Sequence, residues 1–246
     1  MKKNTAQKGL SIEVITLFLL PCFLPTLALI FYFNIGDRSI PSTFIFLLFE
    51  LLITLPLLFF IMTKNEGEPL SIKSIKKIVG KQKRVPIGKF ILICVASLIW
   101  ALLCFVLLKN VTSYIQTNLF GWVPQWFSLG DYLHNRSLYA SQYPVMIWSG
   151  MLVASIAFPF AEEVYFRGYL LQKTNQFGIW SPVINTTLFA LYHIWSIWMV
   201  PVRIVAIFPM IYFVWKERNL FLGVVVHFLL NFVGDVVLLY PEIFKQ

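Results

Sequence analysis

Charge is what this sequence has least of. Only 13% of its 246 residues are Asp, Glu, Lys or Arg, while 59% are hydrophobic and the mean hydropathy is +0.77. An ordinary soluble domain is about a quarter charged. A chain so poor in charge cannot cover a water-facing surface, which excludes a soluble globular domain. Cysteine is scarce as well. Cys22, Cys94 and Cys104 form no Cys-x-x-Cys pair and lie in apolar runs, so they read as buried thiols and not as a disulfide framework or a thiolate metal site. No His-Glu-x-x-His occurs, so the usual zinc-peptidase helix is missing. The start, with Lys2, Lys3 and Lys8 ahead of an apolar run, lacks a small-x-small cleavage site. It is expected to be a retained first helix and not a removed signal peptide. The net charge of +9 does not point to nucleic acid, because the basic residues sit between apolar segments, where they set orientation and meet anionic headgroups.

What is present is length of apolar chain. A spanning helix needs about 20 mostly apolar residues. The expected fold is all-α, a polytopic transmembrane helical bundle with seven, or eight, spanning helices around a membrane-embedded polar cavity. Spans are expected at 12–33, which holds Pro21 and Pro25; at 41–63, which holds Glu50; at 90–108; from about Tyr143; and at about 180–199, 202–215 and 220–240. A tight turn near Pro201 and Arg203 would join the fifth and sixth. Residues 64–89 form a basic linker with eight Lys or Arg. There Ile72, Ile75, Ile78 and Val79 recur at helical spacing, as in a short helix lying on headgroups. Residues 109–143 carry Phe120, Trp122, Trp126, Phe127, Tyr132 and Tyr139 and read as interfacial helices on the outer face. The chain thus divides into an N-terminal part, 1–143, and a core, 144–240, of one integrated membrane domain. With the N-terminus cytoplasmic, 15 basic residues fall inside and five outside, which favours that orientation.

Charges within apolar segments are costly and therefore mark function or pairing. Glu162, Glu163 and Arg167 interrupt the run from Ala161 to Leu170. Taking Lys173, Trp180 and Arg218 as inner boundaries, the helical rise puts Glu162 about 16 Å deep, His193 about 20 Å and His227 about 14 Å. Three helices thus carry polar groups at similar depth and are expected to converge. Glu163 and Arg167, four apart, can pair, leaving Glu162 free for chemistry; a purely structural ion-pair cluster is the bland alternative. Phe189 and His193 share a face, as do His227 and Asn231, with Asp235 one turn further on. Glu50 either lines the same cavity or is a protonated packing acid, the latter preferred; Glu13 reads as interfacial, and His134 has no evident partner.

At these residues the chain resembles the CPBP family of intramembrane proteases, which includes the CAAX-processing type II enzymes and the bacterial Abi proteins. Glu162, Glu163 and Arg167 match its Glu-Glu-x-x-x-Arg motif, Phe189 and His193 its Phe-x-x-x-His, and His227 and Asn231 its His-x-x-x-Asn or Asp. The resemblance implies an endopeptidase acting on a membrane-associated peptide or a lipidated protein tail. It implies that Glu162 and His193 activate water, that His227 and Asn231 stabilise the oxyanion, and that Glu163 and Arg167 support the site. The family is often labelled metalloprotease, and Glu162, His193 and His227 are a ligand set that zinc could use; a metal-free glutamate–histidine scheme fits the same residues and is preferred. By analogy, a bacterial plasma membrane and peptide maturation, secretion or self-immunity are expected ahead of prenyl-protein processing. Two other classes stay open: a non-catalytic scaffold or bacteriocin-immunity factor, and a transporter or proton path, which would show paired broken helices or an inverted repeat.

Overall fold

The computed structural model describes residues 11–35, 40–124, 126–127 and 150–239, and among them all regular structure is helical. α1 is Ile12–Ile35. α2 runs from Ser42–Phe49 through a wide π-wound stretch, Glu50–Thr54, into Leu55–Asn65. α3 is the short helix Ile72–Val79, α4 is Ile87–Leu107 and α5 is Lys109–Leu119. α6 runs unbroken through Gly150–Ala157, Phe158–Glu162, Glu163–Leu170 and Leu171–Lys173, the first and third of these being π-wound. α7 is Trp180–Tyr192, α8 is Val200–Glu217 and α9 is Phe221–Leu239.

Four stretches are long and apolar enough to cross a membrane: Ile12–Asn34, Ser42–Asn65, Ile87–Leu107 and Ile194–Glu217. Phe221–Gly234 is a shorter apolar helix. The protein is a multi-pass, all-helical membrane protein. The expected fourth helix does not stop near Ala161 but continues to Lys173, so the acidic pair lies inside a helix. The expected fifth span, 180–199, is broken. α7 ends at Tyr192, and Ile194–Met199 is a tight 3₁₀ stretch with Ser196 out of helical geometry (φ −141°, ψ 48°). Pro201, in the first turn of α8, keeps an α register from running through Ile197 but does not account for the end of α7 at Tyr192. It has no N–H for the carbonyl of Ile197, and its ring would clash there.

Proline also shapes the helices that do continue. Pro209 in α8 leaves the carbonyl of Val205 without its usual donor, and the Trp100 indole of α4 supplies one at 2.9 Å. Inside hydrocarbon no water could take that place. In the π register of α6, the carbonyl of Ala154 would look to residue 159, which is Pro159; the Asn231 amide of α9 donates to it at 2.9 Å.

The basic linker contains the expected amphipathic helix. Ser71 caps α3 by accepting from the Ser74 N–H at 3.1 Å, and Gly80 ends it at φ 73°. Val79 packs against Gly168 of α6, where a Cβ would come within 3.0 Å of its Cγ2. The Asn219 side chain donates to the Lys83 carbonyl at 2.7 Å, and Gln82 accepts from the Leu220 N–H at 2.7 Å, which ties the linker to the α8–α9 turn. All three cysteines are free and buried. Glu13 is exposed at the start of α1. Arg38, Asp131, Tyr132, His134, Arg136, Tyr139, Tyr143 and the side chain of Asp235 lie outside the described residues.

Candidate active site

Glu163 is fully buried on α6, and Arg167, one turn on, faces it with Nη1 3.2 Å from Oε1. The guanidinium lies over the ring of Phe189 on α7, with Cζ 3.9 Å from the centroid. A buried cation is here held by one carboxylate and one aromatic face.

α9 brings His227 against both glutamates. Its Nδ1 is 3.1 Å from Glu163 Oε1, and its Nε2 is 3.7 Å from Glu162 Oε2. Glycine allows that approach. A Cβ at Gly223, one turn before His227, would collide with Glu163 Oε2 and come within 3.0 Å of its Cδ. Gly223, His227 and Asn231 thus occupy one stripe of α9, all turned to α6: the first against Glu163, the second between Glu163 and Glu162, the third on Ala154.

His193 arrives from α7 as the residue that ends it. Its Nδ1 is 2.9 Å from the Phe189 carbonyl. A carbonyl only accepts, so the proton sits on Nδ1 and, in the neutral ring, the lone pair is on Nε2. The ring stands edge-on to Phe189 at 4.7 Å, and the same Phe189 ring lies 5.8 Å from His227. Phe189 is therefore the hub on which Arg167, His193 and His227 all rest. Asn231 is close to the group along the helix, but one N–H of its amide is committed to Ala154.

Arg203 and Tyr192, also near the site, were not singled out for it by sequence reasoning, and Glu50, read from the sequence as cavity-lining or packing, is near it too. Arg203 of α8 lies within electrostatic reach of Glu162 and His193. An arginine inside an apolar segment was the available signal, obscured because residues 194–200 read as a helix ending at an outer turn. Tyr192 is fully buried, its hydroxyl unpartnered, between Phe166 and Trp195. Glu50, in the π-wound stretch of α2, is buried with Oε1 unpartnered and is within electrostatic reach of Glu162.

The segment that carries the sequence motifs has a counterpart among known families. Residues 144–233 match the family model "Type II CAAX prenyl endopeptidase Rce1-like". The match covers the Rce1-like segment from just before α6 into α9 and bears out the resemblance read from the three motifs. No curated protein and no solved structure matches the chain.

Among the described residues no group of three or more His, Cys, Asp or Glu side chains is placed to hold an ion. His227 meets Glu163 through Nδ1 and turns Nε2 toward Glu162.

Proposed function

We propose that this protein is an intramembrane endopeptidase that hydrolyses a peptide bond of a membrane-associated peptide or lipidated protein tail. The observation that supports this reading is His227 set between two buried carboxylates, with a second imidazole, His193, on the same aromatic support. Glu162 and the Nε2 lone pair of His193 take the proton of a water, whose oxygen attacks the scissile carbonyl. In its doubly protonated form His227 gives Nδ1–H to Glu163 and Nε2–H to the developing oxyanion, and the second N–H of Asn231 adds a donor. Glu163 and Arg167 hold His227 and do not touch substrate. The proton then passes to the leaving amine.

A multi-pass protein with its N-terminus cytoplasmic, in a bacterial plasma membrane, suits the distribution of basic residues. The basic linker would then lie against anionic headgroups, with Lys73 and Lys76 of α3 exposed. A cavity of about 560 Å³ beside it, lined by Lys81, Lys216 and Arg218 among others, suits the same chemistry.

The test is cleavage of a membrane-tethered peptide by protein purified in detergent. Glu162→Gln, His193→Ala and His227→Ala should each abolish it while the protein still unfolds cooperatively. Full activity in Glu162→Gln would overturn the assignment.

A further inference from the structure

Arg203 has the features of an anion-binding residue. It lies in the first turn of α8, the positive end of the helix dipole, where a cation is disfavoured and an anion is welcome. Its Nη2 donates to Ser196 Oγ at 2.9 Å and contacts Met199 Sδ at 3.9 Å. Its Nη1 is closed off from the surface and makes no hydrogen bond. No carboxylate among the described residues comes within ion-pair distance of it, although Glu162 is near enough to feel its charge. Arg167, the fully buried guanidinium of the site, is paired with Glu163; the half-buried Arg203 is not.

The serine contact is itself informative. Ser196 is the residue whose backbone leaves helical geometry, and it also donates to the His193 carbonyl at 3.4 Å. The break after α7 therefore places His193 and Arg203 on two sides of one short loop. Nη1 of the same guanidinium is left without an acceptor. A buried N–H donor without a partner is destabilising in the resting protein, so the arrangement gains most when something supplies an acceptor.

We propose that Arg203 is a specificity-determining residue that binds a carboxylate of the substrate beside the scissile bond. This rests on the peptidase reading above. A guanidinium is the side chain whose planar donors best match a carboxylate, and one that is held by Ser196 loses little freedom on binding. The carboxylate has two sources, the C-terminal α-carboxylate of a short tail or an acidic side chain near the cleaved bond. The experiment separates them.

Two peptide pairs are used with the full-length protein in proteoliposomes. One pair differs only in ending as an acid or an amide. The other differs only in carrying Glu or Gln next to the cleaved bond. Binding and kcat/KM are measured for wild type, Arg203→Gln and Arg203→Lys. Wild type should favour the carboxylate-bearing member of one pair by about 10- to 100-fold, the worth of one charge-assisted hydrogen bond. The difference should appear mainly in KM. In Arg203→Gln that ratio should collapse toward one, and Arg203→Lys, with the charge but not the fork, should keep part of it. Equal binding of both members of both pairs by wild type would overturn the proposal. So would an undiminished ratio in Arg203→Gln, even where both rates fall because Glu162 has lost a neighbouring cation. The binding ratio tests Arg203 alone, whereas absence of cleavage with the ratio intact would count against the peptidase reading.

Discussion

Replacing Gly223 by alanine should disable the site without touching a motif residue. The new methyl would occupy the place of Glu163 Oε2, and it would lie 3.2 Å from Val214 Cγ2 on its other side. Carbon packs against its neighbours at about 3.5 Å or more, so the Glu163 carboxylate has to retreat by about 1 Å. It cannot do so freely, because the side chain is fully buried and Oε1 is 3.1 Å from His227 and 3.2 Å from Arg167. Retreat along the direction away from α9 lengthens the His227 contact beyond hydrogen-bonding range. Overpacking of this kind costs about 1–3 kcal/mol, which for a chain of this length lowers the unfolding temperature by about 2–4 °C per kcal/mol. The larger effect is on catalysis, since a misplacement of about 1 Å costs on the order of 100-fold in rate. The assay pairs kcat for a cleaved peptide with thermal unfolding in the same detergent. Adding Glu163→Asp to Gly223→Ala shortens the obstructed side chain by one methylene and should recover part of the loss. Wild-type kcat in a folded Gly223→Ala protein would refute the claim that close approach of α9 to Glu163 positions His227.

Phe189→Ala should abolish cleavage and cost about 3–5 kcal/mol, because it removes the ring beneath Arg167 and beside His193 and His227; thermal unfolding and peptide turnover check both. Trp100→Phe should destabilise by about 1–3 kcal/mol, since the Val205 carbonyl freed by Pro209 would lose its donor in a setting without water. Its kcat should stay at the wild-type value. Cleavage should persist in chelator, with no stoichiometric metal in elemental analysis of the purified protein; loss of activity restored by zinc would refute the metal-free scheme.

The convergence of Glu162, Glu163, Arg167, His193 and His227 was legible because each polar residue interrupts an apolar run at helical spacing, where chance placement is costly. The Glu163–Arg167 contact follows directly from the four-residue spacing. The end of α7 at His193 was not legible, because Ile194, Trp195, Ile197 and Trp198 continue the apolar pattern and no glycine marks the break. That concealed Arg203, which reads as an outer-turn residue only if α7 runs on to 199. Gly223 was silent for another reason. A glycine in an apolar helix looks like ordinary packing until the opposing side chain is known. The short helix α3 was readable from its isoleucines, but its attachment to the α8–α9 turn depends on Gln82 and Asn219, polar residues with no pattern to mark them.

The π-wound stretch Glu163–Leu170 spreads its residues over wider turns than an α-helix of the same length would. Deleting one residue there while the wide winding is kept would swing everything beyond it by roughly a quarter turn about the axis. Gly168 would turn away from Val79, and Lys173 away from Glu66, with which it pairs at 2.7 Å. This part of the chain should therefore accept exchanges of side chain far more readily than changes in length. A scan of single-residue deletions along α6 would show the phase of the helix, more than the identity of its lipid-facing residues, as the quantity under constraint.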